Sequence, residues 1–213
     1  MAKTDGIPAP AVRRLSLYLR QLEAFGRADV HTVSSKQLGQ AIQTTDAQVR
    51  KDLAYFGQFG QPGIGYGVDE LIQKLRAILG TDRTQAVVLI GAGNLGRALA
   101  AYRGFESKGF ALAAAFDNDP AKIGKPLVPD KNLLVKPMEQ LSAVIRRNDI
   151  RLAVLAVPAP DAQPVADLLI EVGIRGILNF APVSLKAPDD IAVSSVDLAV
   201  QLEQLSFRMA TCP

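Results

Sequence analysis

The sequence predicts an α/β protein in which a small helical domain precedes a larger domain built on a doubly wound parallel sheet. Three observations predict this organisation. Short amphipathic patterns of helical period occupy residues 9–55. An apolar run at residues 87–90 then leads into three closely spaced glycines. Strand and helix patterns alternate from there onward, which is typical of a parallel sheet. We expect domains at residues 1–80 and 81–195, followed by a terminal helix at 196–213.

The larger domain is organised around a glycine-rich turn. Residues 86–99, AVVLIGAGNLGRAL, place three glycines at G-x-G-x-x-G spacing between a predicted strand and a predicted helix. The first glycine permits the bend, the second lets the backbone approach a pyrophosphate, and the third lets the helix pack on the strand. The amides at the helix start then hold the anion. The predicted cofactor contacts in this turn are Gly91, Ala92, Gly93, Asn94, Leu95 and Gly96.

The next apolar run, residues 110–116, ends in Asp117, about 20 residues beyond the last glycine. A carboxylate at this place accepts hydrogen bonds from an adenosine ribose. It also repels a 2′-phosphate, and we expect Asn118 and Asp119 to supply no cation that would offset the repulsion. The sequence therefore predicts a Rossmann-like site for NAD(H) rather than NADP(H), with Asp117 and Asn118 beside the cofactor. The alternative is a glycine-rich turn that binds no ligand.

Two later predicted strands also end in residues that we expect near the cofactor. Ligands of open parallel sheets bind beyond the carboxyl ends of the strands. The predicted strand at residues 152–157 ends in a Val-Pro pair, and the predicted strand at 176–178 is followed by Asn-Phe-Ala-Pro. The predicted contacts at these two ends are Val157, Pro158, Asn179, Phe180 and Ala181.

Composition and charge limit the classes of function. No apolar run is long enough to cross a bilayer, and residues 1–10 lack the apolar core of a signal peptide. Cys212 is the only cysteine and cannot form an internal disulfide. We therefore expect a cytoplasmic protein with no membrane partner. Residues 1–85 hold 11 basic and 8 acidic side chains, whereas the remainder holds 13 of each, so a polyanion would bind the N-terminal part.

The N-terminal part has the pattern of a helix-turn-helix. Predicted helices at residues 9–25 (with Gly26 as C-cap), 35–42 and 47–55 are separated by short polar turns, with a serine and then Thr45 or Asp46 as N-caps. The polar, basic third helix would lie in a major groove. The alternative is an ordinary three-helix bundle with a solvated basic face. The candidate DNA contacts are Ser35, Lys36, Gln48, Arg50, Lys51 and Tyr55.

The stretch after the third helix favours DNA binding over the bundle alternative. Residues 56–68 alternate glycine with aromatic and aliphatic residues, which predicts a tight β-hairpin. A hairpin directly after a helix-turn-helix makes a winged helix. A linking helix at residues 69–79 would then lead to the second domain.

The sequence resembles a known family at several of these motifs together. Residues 49–57, VRKDLAYFG, followed by GIGY at 63–66 and then by GAGNLG, are similar to the redox-sensing transcriptional repressor Rex family. The likeness extends from about residue 15 to residue 207 and includes NFAP at 179–182 and VDL at 196–198.

The resemblance implies a homodimer in which the last helix is swapped between subunits. It implies that NADH binding closes the dimer and releases operator DNA, while NAD⁺ competes without releasing it well. It also implies a polar switch made of Arg20, Tyr102 and Asp197. The sequence departs from the family pattern at Pro62, where a basic residue is usual in the wing, so a minor-groove contact does not carry over. At Asn94 some members have arginine, so a charge contact does not carry over either.

The sequence lacks the residues of a dehydrogenase. A hydride-transfer enzyme needs an acid or base at the reacting carbon, and the only histidine, His31, lies in the N-terminal domain. Tyr102 has no nearby lysine to activate it, and no predicted substrate domain follows the sheet. We therefore expect a binding protein rather than an enzyme, with no catalytic or metal-ligating residues. An NAD-dependent dehydrogenase and a CoA- or nucleotide-binding subunit are the alternatives.

Overall fold

The chain folds as two units, Met1–Arg83 and Thr84–Pro213, in a computed structural model that describes residues 7–61, 63–129 and 132–211. The expectations for Pro62 and Cys212 lie outside the described residues. None of the described helices is both long and apolar enough to cross a bilayer.

Four helices and a two-stranded ladder form the first unit. Ser34 caps the second helix through a reciprocal pair of bonds with Gln37, and Thr45 caps the third through the amide of Gln48. These caps agree with the predicted helix starts. The elements are α1 (Ala9–Arg27), β1 (Thr32–Val33), α2 (Ser35–Ala41), α3 (Asp46–Ala54), β2 (Tyr66–Gly67) and α4 (Val68–Leu79).

Helix α1 runs through the glycine that was expected to end it. Gly26 lies inside the helix, which ends instead at Arg27 with Ala28 as the C-cap residue, and Asp29 takes the left-handed conformation that turns the chain. A β-carbon at Gly26 would lie 3.7 Å from Val68 and 3.9 Å from Ile72. The glycine therefore permits close packing of α1 on α4, and the prediction of a C-cap at this position was wrong.

The predicted hairpin is reduced to a single bridge. Gln61 and Gly65 exchange two backbone hydrogen bonds of 3.0 Å, and Ile64 lies exposed near the tip. The strand that follows pairs with β1, Val33 opposite Tyr66, rather than with the chain just before it. Since a β-carbon on Gly65 would lie 2.5 Å from the carbonyl oxygen of Val33, the glycine permits this crossing.

The second unit is a six-stranded parallel sheet with helices on both faces. The strands are ordered β5-β4-β3-β6-β7-β8, so the first and fourth strands of the unit are neighbours. This is the strand order of dinucleotide-binding folds, and it confirms the predicted fold class. Its elements are β3 (Gln85–Ile90), α5 (Asn94–Ala101), β4 (Phe110–Asp117), β5 (Val135–Pro137), α6 (Leu141–Arg147), β6 (Leu152–Leu155), α7 (Ala159–Glu171), β7 (Gly176–Asn179), β8 (Ala192–Ser195) and α8 (Leu198–Thr211).

Sequence patterns do not predict the two edge strands, because these strands are short and are not apolar runs. Strand β5 lies in a stretch expected to be irregular, and β8 is mostly exposed. Backbone pairing of Val135 with Ala115 and of Ala192 with Gly176 defines them. The core strands, in contrast, bury nearly every side chain toward their carboxyl ends.

The terminal helix α8 does not bury any of its residues against the rest of the chain. Its large apolar side chains are more exposed than those of any other helix, with Phe207 69% and Met209 80% exposed. The structure therefore shows no packing of α8 on the described part of its own domain that buries a side chain of the helix.

Candidate functional sites

The glycine turn between β3 and α5 has the geometry that the sequence predicts. Gly91 has φ +99°, and a β-carbon there would collide with the carbonyl oxygen of Ala156 at the end of β6. A β-carbon at Gly96 would collide with the carbonyl oxygen of Gly91, so α5 packs tightly on the turn. A β-carbon at Gly93 meets nothing within 4 Å, because this residue faces open space at the start of α5.

Asp117 lies at the carboxyl end of β4 and fastens the glycine turn. The backbone amide of Ala92 donates to Oδ2 at 2.7 Å, and that of Asp119 donates to Oδ1 at 2.9 Å. Burial raises the pKa of Asp117, but these bonds and one from Lys122 outweigh it, and the net pKa lies below the ordinary value. The side chain is therefore an ionised acceptor, and among the described residues Oδ1 accepts a single bond, from the amide of Asp119.

A lysine that the sequence analysis missed lies beside this carboxylate. Nζ of Lys122 is 3.0 Å from Oδ2 of Asp117 and 3.5 Å from Oδ2 of Asp119. The bond to Asp117 raises the pKa of Lys122. Asn118 and Asp119 supply no cation, as expected, but Lys122, which that expectation did not consider, offsets the charge of Asp117. Lys122 lies in a stretch without periodicity, and only the turn after β4 brings it back to the strand end.

A cleft of about 490 Å³ opens beside the turn, at the switch point where the strand order reverses. Its volume falls in the range of small-molecule sites, about 300–1,000 Å³. Several residues were not anticipated from the sequence, among them Lys122, Met138 and Asp161. The predicted residues in its wall are Gly91, Gly93, Asn94, Leu95, Asp117, Asn118, Val157, Pro158 and Phe180.

Four predicted cofactor residues do not line this cleft: Ala92, Gly96, Asn179 and Ala181. Ala92 turns its amide to Asp117, and Gly96 lies under α5. Asn179 is fully buried: its Nδ2 donates to the carbonyl oxygens of Ala181 and Val183, and its Oδ1 accepts from the amide of Ala181. This side chain shapes the loop after β7, which in turn places Phe180 at the cleft.

The second candidate site is the exposed surface of α2 and α3 in the first unit. Arg50 donates to Asp46 at 2.7 Å and to the hydroxyl of Ser35 at 3.0 Å, so it joins the two helices. The bond from Arg50 lowers the pKa of Asp46. Lys36 and Lys51 are exposed, and Tyr55 is 41% exposed. Five of the six predicted DNA contacts lie on these two helices, and the sixth, Tyr55, is the C-cap residue of α3.

A buried acid under this surface was not anticipated. Asp52 of α3 is completely buried and accepts bonds from Nε and Nη2 of Arg14 at 2.6 and 2.8 Å, and from the hydroxyl of Tyr18 at 2.8 Å. Nε2 of Gln48 also donates to it at 2.7 Å. Burial raises the pKa of Asp52, but the four bonds outweigh it and hold the net pKa below its ordinary value. Sequence patterns assign the residue to neither face, because its partners come from α1.

The three predicted switch residues are spread over both units. Arg20 is exposed on α1 of the first unit. In the second unit, Tyr102 is 59% exposed just after α5 and packs edge-on against Phe105 at 5.3 Å between ring centroids. Oδ1 of Asp197 accepts from the amides of Ala199 and Val200 and so caps α8. Capping is thus an observed role of Asp197, and the switch remains a prediction.

No group of histidine, cysteine and acidic residues suited to a metal ion occurs among residues 7–61, 63–129 and 132–211.

Comparisons with known proteins bear on both units. A family model described as "Putative DNA-binding protein N-terminus" matches residues 6–54, and one described as "CoA binding domain" matches residues 82–183. Among solved structures, a complex of RSP with β-NAD⁺ and operator DNA has a TM-score of 0.89 and 40% identity, covering 95% of this chain and 92% of that one. A complex of RSP with β-NADH has a TM-score of 0.84 and 38% identity, covering 97% and 95%.

Curated relatives match along nearly the whole chain. The redox-sensing transcriptional repressor Rex of Carboxydothermus hydrogenoformans is 49% identical over 95% of this chain and 96% of its own length. The protein of the same name from Desulforamulus reducens is 45% identical over 96% of both chains. This chain therefore belongs to the Rex family of redox-sensing transcriptional repressors.

Proposed function

We propose that this chain is a DNA-binding repressor that senses the NADH/NAD⁺ ratio, with the dinucleotide in the cleft beside β3 and α5 and operator DNA on α2 and α3. The observation that carries the proposal is the open approach at Gly93. This residue leaves room for a pyrophosphate at the start of α5, while Asp117 stands ionised at the next strand end. Relatives of this chain are named as repressors and not as enzymes.

The cleft residues fit a dinucleotide in both chemistry and position. The amides at the start of α5 would hold the pyrophosphate, and Oδ1 of Asp117 would accept from the adenosine ribose. Val157 and Phe180 line the cleft beyond the ends of β6 and β7, and we place the nicotinamide half there. When bound, NAD⁺ carries a positive charge on the nicotinamide ring that NADH lacks. Residues around this half of the cleft can therefore favour one form over the other.

A dinucleotide controls DNA binding only if it has different affinities for the DNA-binding state and the released state. We propose that NADH favours a state in which the two recognition helices of a homodimer no longer match successive half-sites on DNA. Half-sites lie about one helical turn apart, so a small rotation of rigid units is enough to lose the match.

The second copy of the chain is the partner that we propose for α8. This helix exposes an apolar row that includes Leu202, Leu205 and Met209, and none of the described residues of its own chain covers it. Exposed apolar surface of this extent marks an interaction site. Exchange of α8 between the two copies would bury the row. We further propose that the repressor acts in the cytoplasm, where bacterial DNA lies.

Enrichment from a random DNA library followed by titration tests the proposed function. The protein is incubated with duplexes that have a randomised central segment, and the enriched duplex is then titrated at several salt concentrations with NADH, NAD⁺, NADPH or CoA present. We expect enrichment of a palindromic duplex, affinity that falls with salt as phosphate contacts are screened, and release by NADH above all. A chain that enriches no duplex, or whose DNA complex responds only to CoA, contradicts the proposal.

A further inference from the structure

The buried acid Asp52 holds the side chain of a residue on the proposed DNA-binding surface. Gln48 precedes Asp52 by one helical turn, and its Nε2 lies 2.7 Å from Oδ1 of Asp52. The other donors to this carboxylate, Arg14 and Tyr18, both come from α1. Asp52 therefore links the body of the unit to a side chain that is only partly buried.

The chemistry of this contact fixes the orientation of the Gln48 amide. An ionised carboxylate accepts hydrogen bonds and donates none, so the amide must present its nitrogen and not its oxygen to Asp52. Asp52 stays ionised at neutral pH because the bonds from Arg14, Gln48 and Tyr18 together outweigh the cost of burial. A flipped amide would place two acceptors 2.7 Å apart, which is unfavourable.

The fixed amide leaves one pattern of hydrogen-bonding groups free. One N–H of Nε2 is used by Asp52, and Oε1 of Gln48 has no donor among the described residues. A second N–H and Oε1 therefore remain on the same amide group. This pair complements the major-groove edge of adenine, whose N7 accepts and whose N6 donates. Gln48 also lies in the first turn of α3, the part of a recognition helix that contacts base edges.

We propose that Asp52 is a positioning residue that fixes the amide of Gln48 for recognition of an adenine in the major groove. The inference rests on the proposed function, since it needs α3 to bind DNA. The competing explanation is that Asp52 merely anchors α3 to α1 through Arg14 and Tyr18. The two explanations differ in whether the base preference of the protein depends on Asp52.

Variants tested against the library of randomised duplexes separate the explanations. Gln48→Ala removes the reading side chain, and Asp52→Asn frees its amide, because asparagine can donate as well as accept. Tyr18→Phe is the matched control, since it removes one bond to Asp52 and leaves the Gln48 contact. We expect the wild type to prefer adenine at one position of each half-site by roughly tenfold. We expect Gln48→Ala and Asp52→Asn to lose that preference, and the double variant to lose no more than Gln48→Ala.

Tyr18→Phe should keep the preference for adenine even where it lowers stability. The inference is overturned if Asp52→Asn keeps the preference that Gln48→Ala loses, or if Gln48→Ala changes the preference at no position. A wild-type chain that enriches no duplex defeats the proposed function instead. An enriched duplex with preferences that Asp52→Asn leaves untouched defeats only this inference.

A measurement on the wild-type chain keeps the test decisive where Asp52→Asn fails to fold. Side-chain amide signals in NMR spectra are assigned to Gln48 by their loss in Gln48→Ala. We expect one Gln48 amide proton to exchange with water at least tenfold more slowly than those of Gln40, an exposed glutamine on α2. Equal exchange of the two glutamines overturns the fixed orientation.

Discussion

The ammonium group of Lys122 lies 3.0 Å from the carboxylate of Asp117, inside the cleft proposed for the dinucleotide. The pair changes what Asp117 does, because the acid holds a cation as well as the glycine turn. We therefore expect any discrimination against a 2′-phosphate to depend on the Asp117–Lys122 pair, and not on an isolated negative charge.

Replacement of Asp117 by alanine should weaken the binding of NADH and strengthen the binding of NADPH relative to it. The variant loses a charge-assisted bond to the ribose, which contributes about 1.5–3 kcal/mol. It also leaves Lys122 with only its longer contact to Asp119, so that the ammonium group can meet a 2′-phosphate. Calorimetry with NADH and NADPH measures both effects. Asp119→Ala is the matched control, because it removes the more distant carboxylate only. Unchanged NADH affinity in folded Asp117→Ala would show that this acid does not contact the ligand.

The two glycines at the start of α5 should respond differently to alanine. Gly93 faces open space, so Gly93→Ala should change the free energy of unfolding by less than about 0.5 kcal/mol. The added methyl group would occupy the approach of the pyrophosphate, and NADH affinity should fall by at least roughly tenfold. Gly96→Ala should instead cost stability, about 1–3 kcal/mol or more, since its β-carbon collides with the backbone of Gly91.

Thermal unfolding without ligand, followed by NADH titration, separates the two glycine variants. A Gly93→Ala chain that binds NADH normally contradicts the placement of the pyrophosphate.

Two basic residues of α3 should be needed for DNA binding and not for NADH binding. Arg50 is held by Asp46 and Ser35, whereas Lys51 has no partner within the part of the chain that the structure describes. We expect Arg50→Ala to cost about 1–3 kcal/mol and to relax the preference at one base pair. Lys51→Ala should weaken binding to all duplexes alike and reduce the salt dependence. Fluorescence anisotropy at several salt concentrations measures the DNA affinity of each variant. Normal DNA affinity in the double variant would refute the assignment of the DNA-binding surface to α2 and α3.

The variant Asp197→Asn distinguishes the helix-capping role of Asp197 from its predicted role in the switch. Asp197→Asn keeps a residue that caps helices well but removes the charge, whereas Asp197→Ala removes both. If Asp197 exchanges partners in the NADH response, each variant should lose about 1–3 kcal/mol of the coupling between NADH and DNA. DNA affinity is measured with and without saturating NADH. A response that is intact in Asp197→Asn identifies the residue as a cap alone.

The first unit should lose stability in acid through Asp52. Its folded pKa is lowered, so its contribution is complete above the ordinary pKa of aspartate, about 3.9. As pH falls below that value, the unfolded chain takes up a proton first, and the contribution is lost once the folded chain is protonated too. Hydrogen exchange of the α3 amides from neutral pH to about pH 3 should show this loss. Asp52→Asn should be less stable at neutral pH, and its stability should fall less steeply as the pH is lowered. The same fall in stability in the variant and the wild type would refute the role of Asp52 in acid sensitivity.

The sequence predicted the parts of this chain that depend on local patterns. The apolar run before Gly91, the serine and threonine caps of α2 and α3, and the acid at position 117 each follow from spacing alone. These features predicted the fold class correctly, and they predicted a strand end, a glycine turn and an acid that line one cleft.

Contacts between distant segments could not be predicted. Lys122 reaches Asp117 only because an irregular stretch turns back, and Asp52 is buried only because α1 supplies Arg14 and Tyr18. Gly26 was assigned to a helix end because a local sequence pattern does not show that α4 packs against this glycine. The short strands β5 and β8 are defined by their partners and not by their own residues.

The ladder of β1 and β2 has a kinetic consequence for the first unit. Val33 and Tyr66 pair across a segment that contains both α2 and α3, so this segment is a closed loop. Closing a loop costs conformational entropy, and this cost is offset only when contacts form within the loop. Each of these helices is too short to persist alone in water. We therefore expect α2 and α3, which carry the proposed DNA-binding surface, to become ordered together with the closure of this ladder, in one cooperative step.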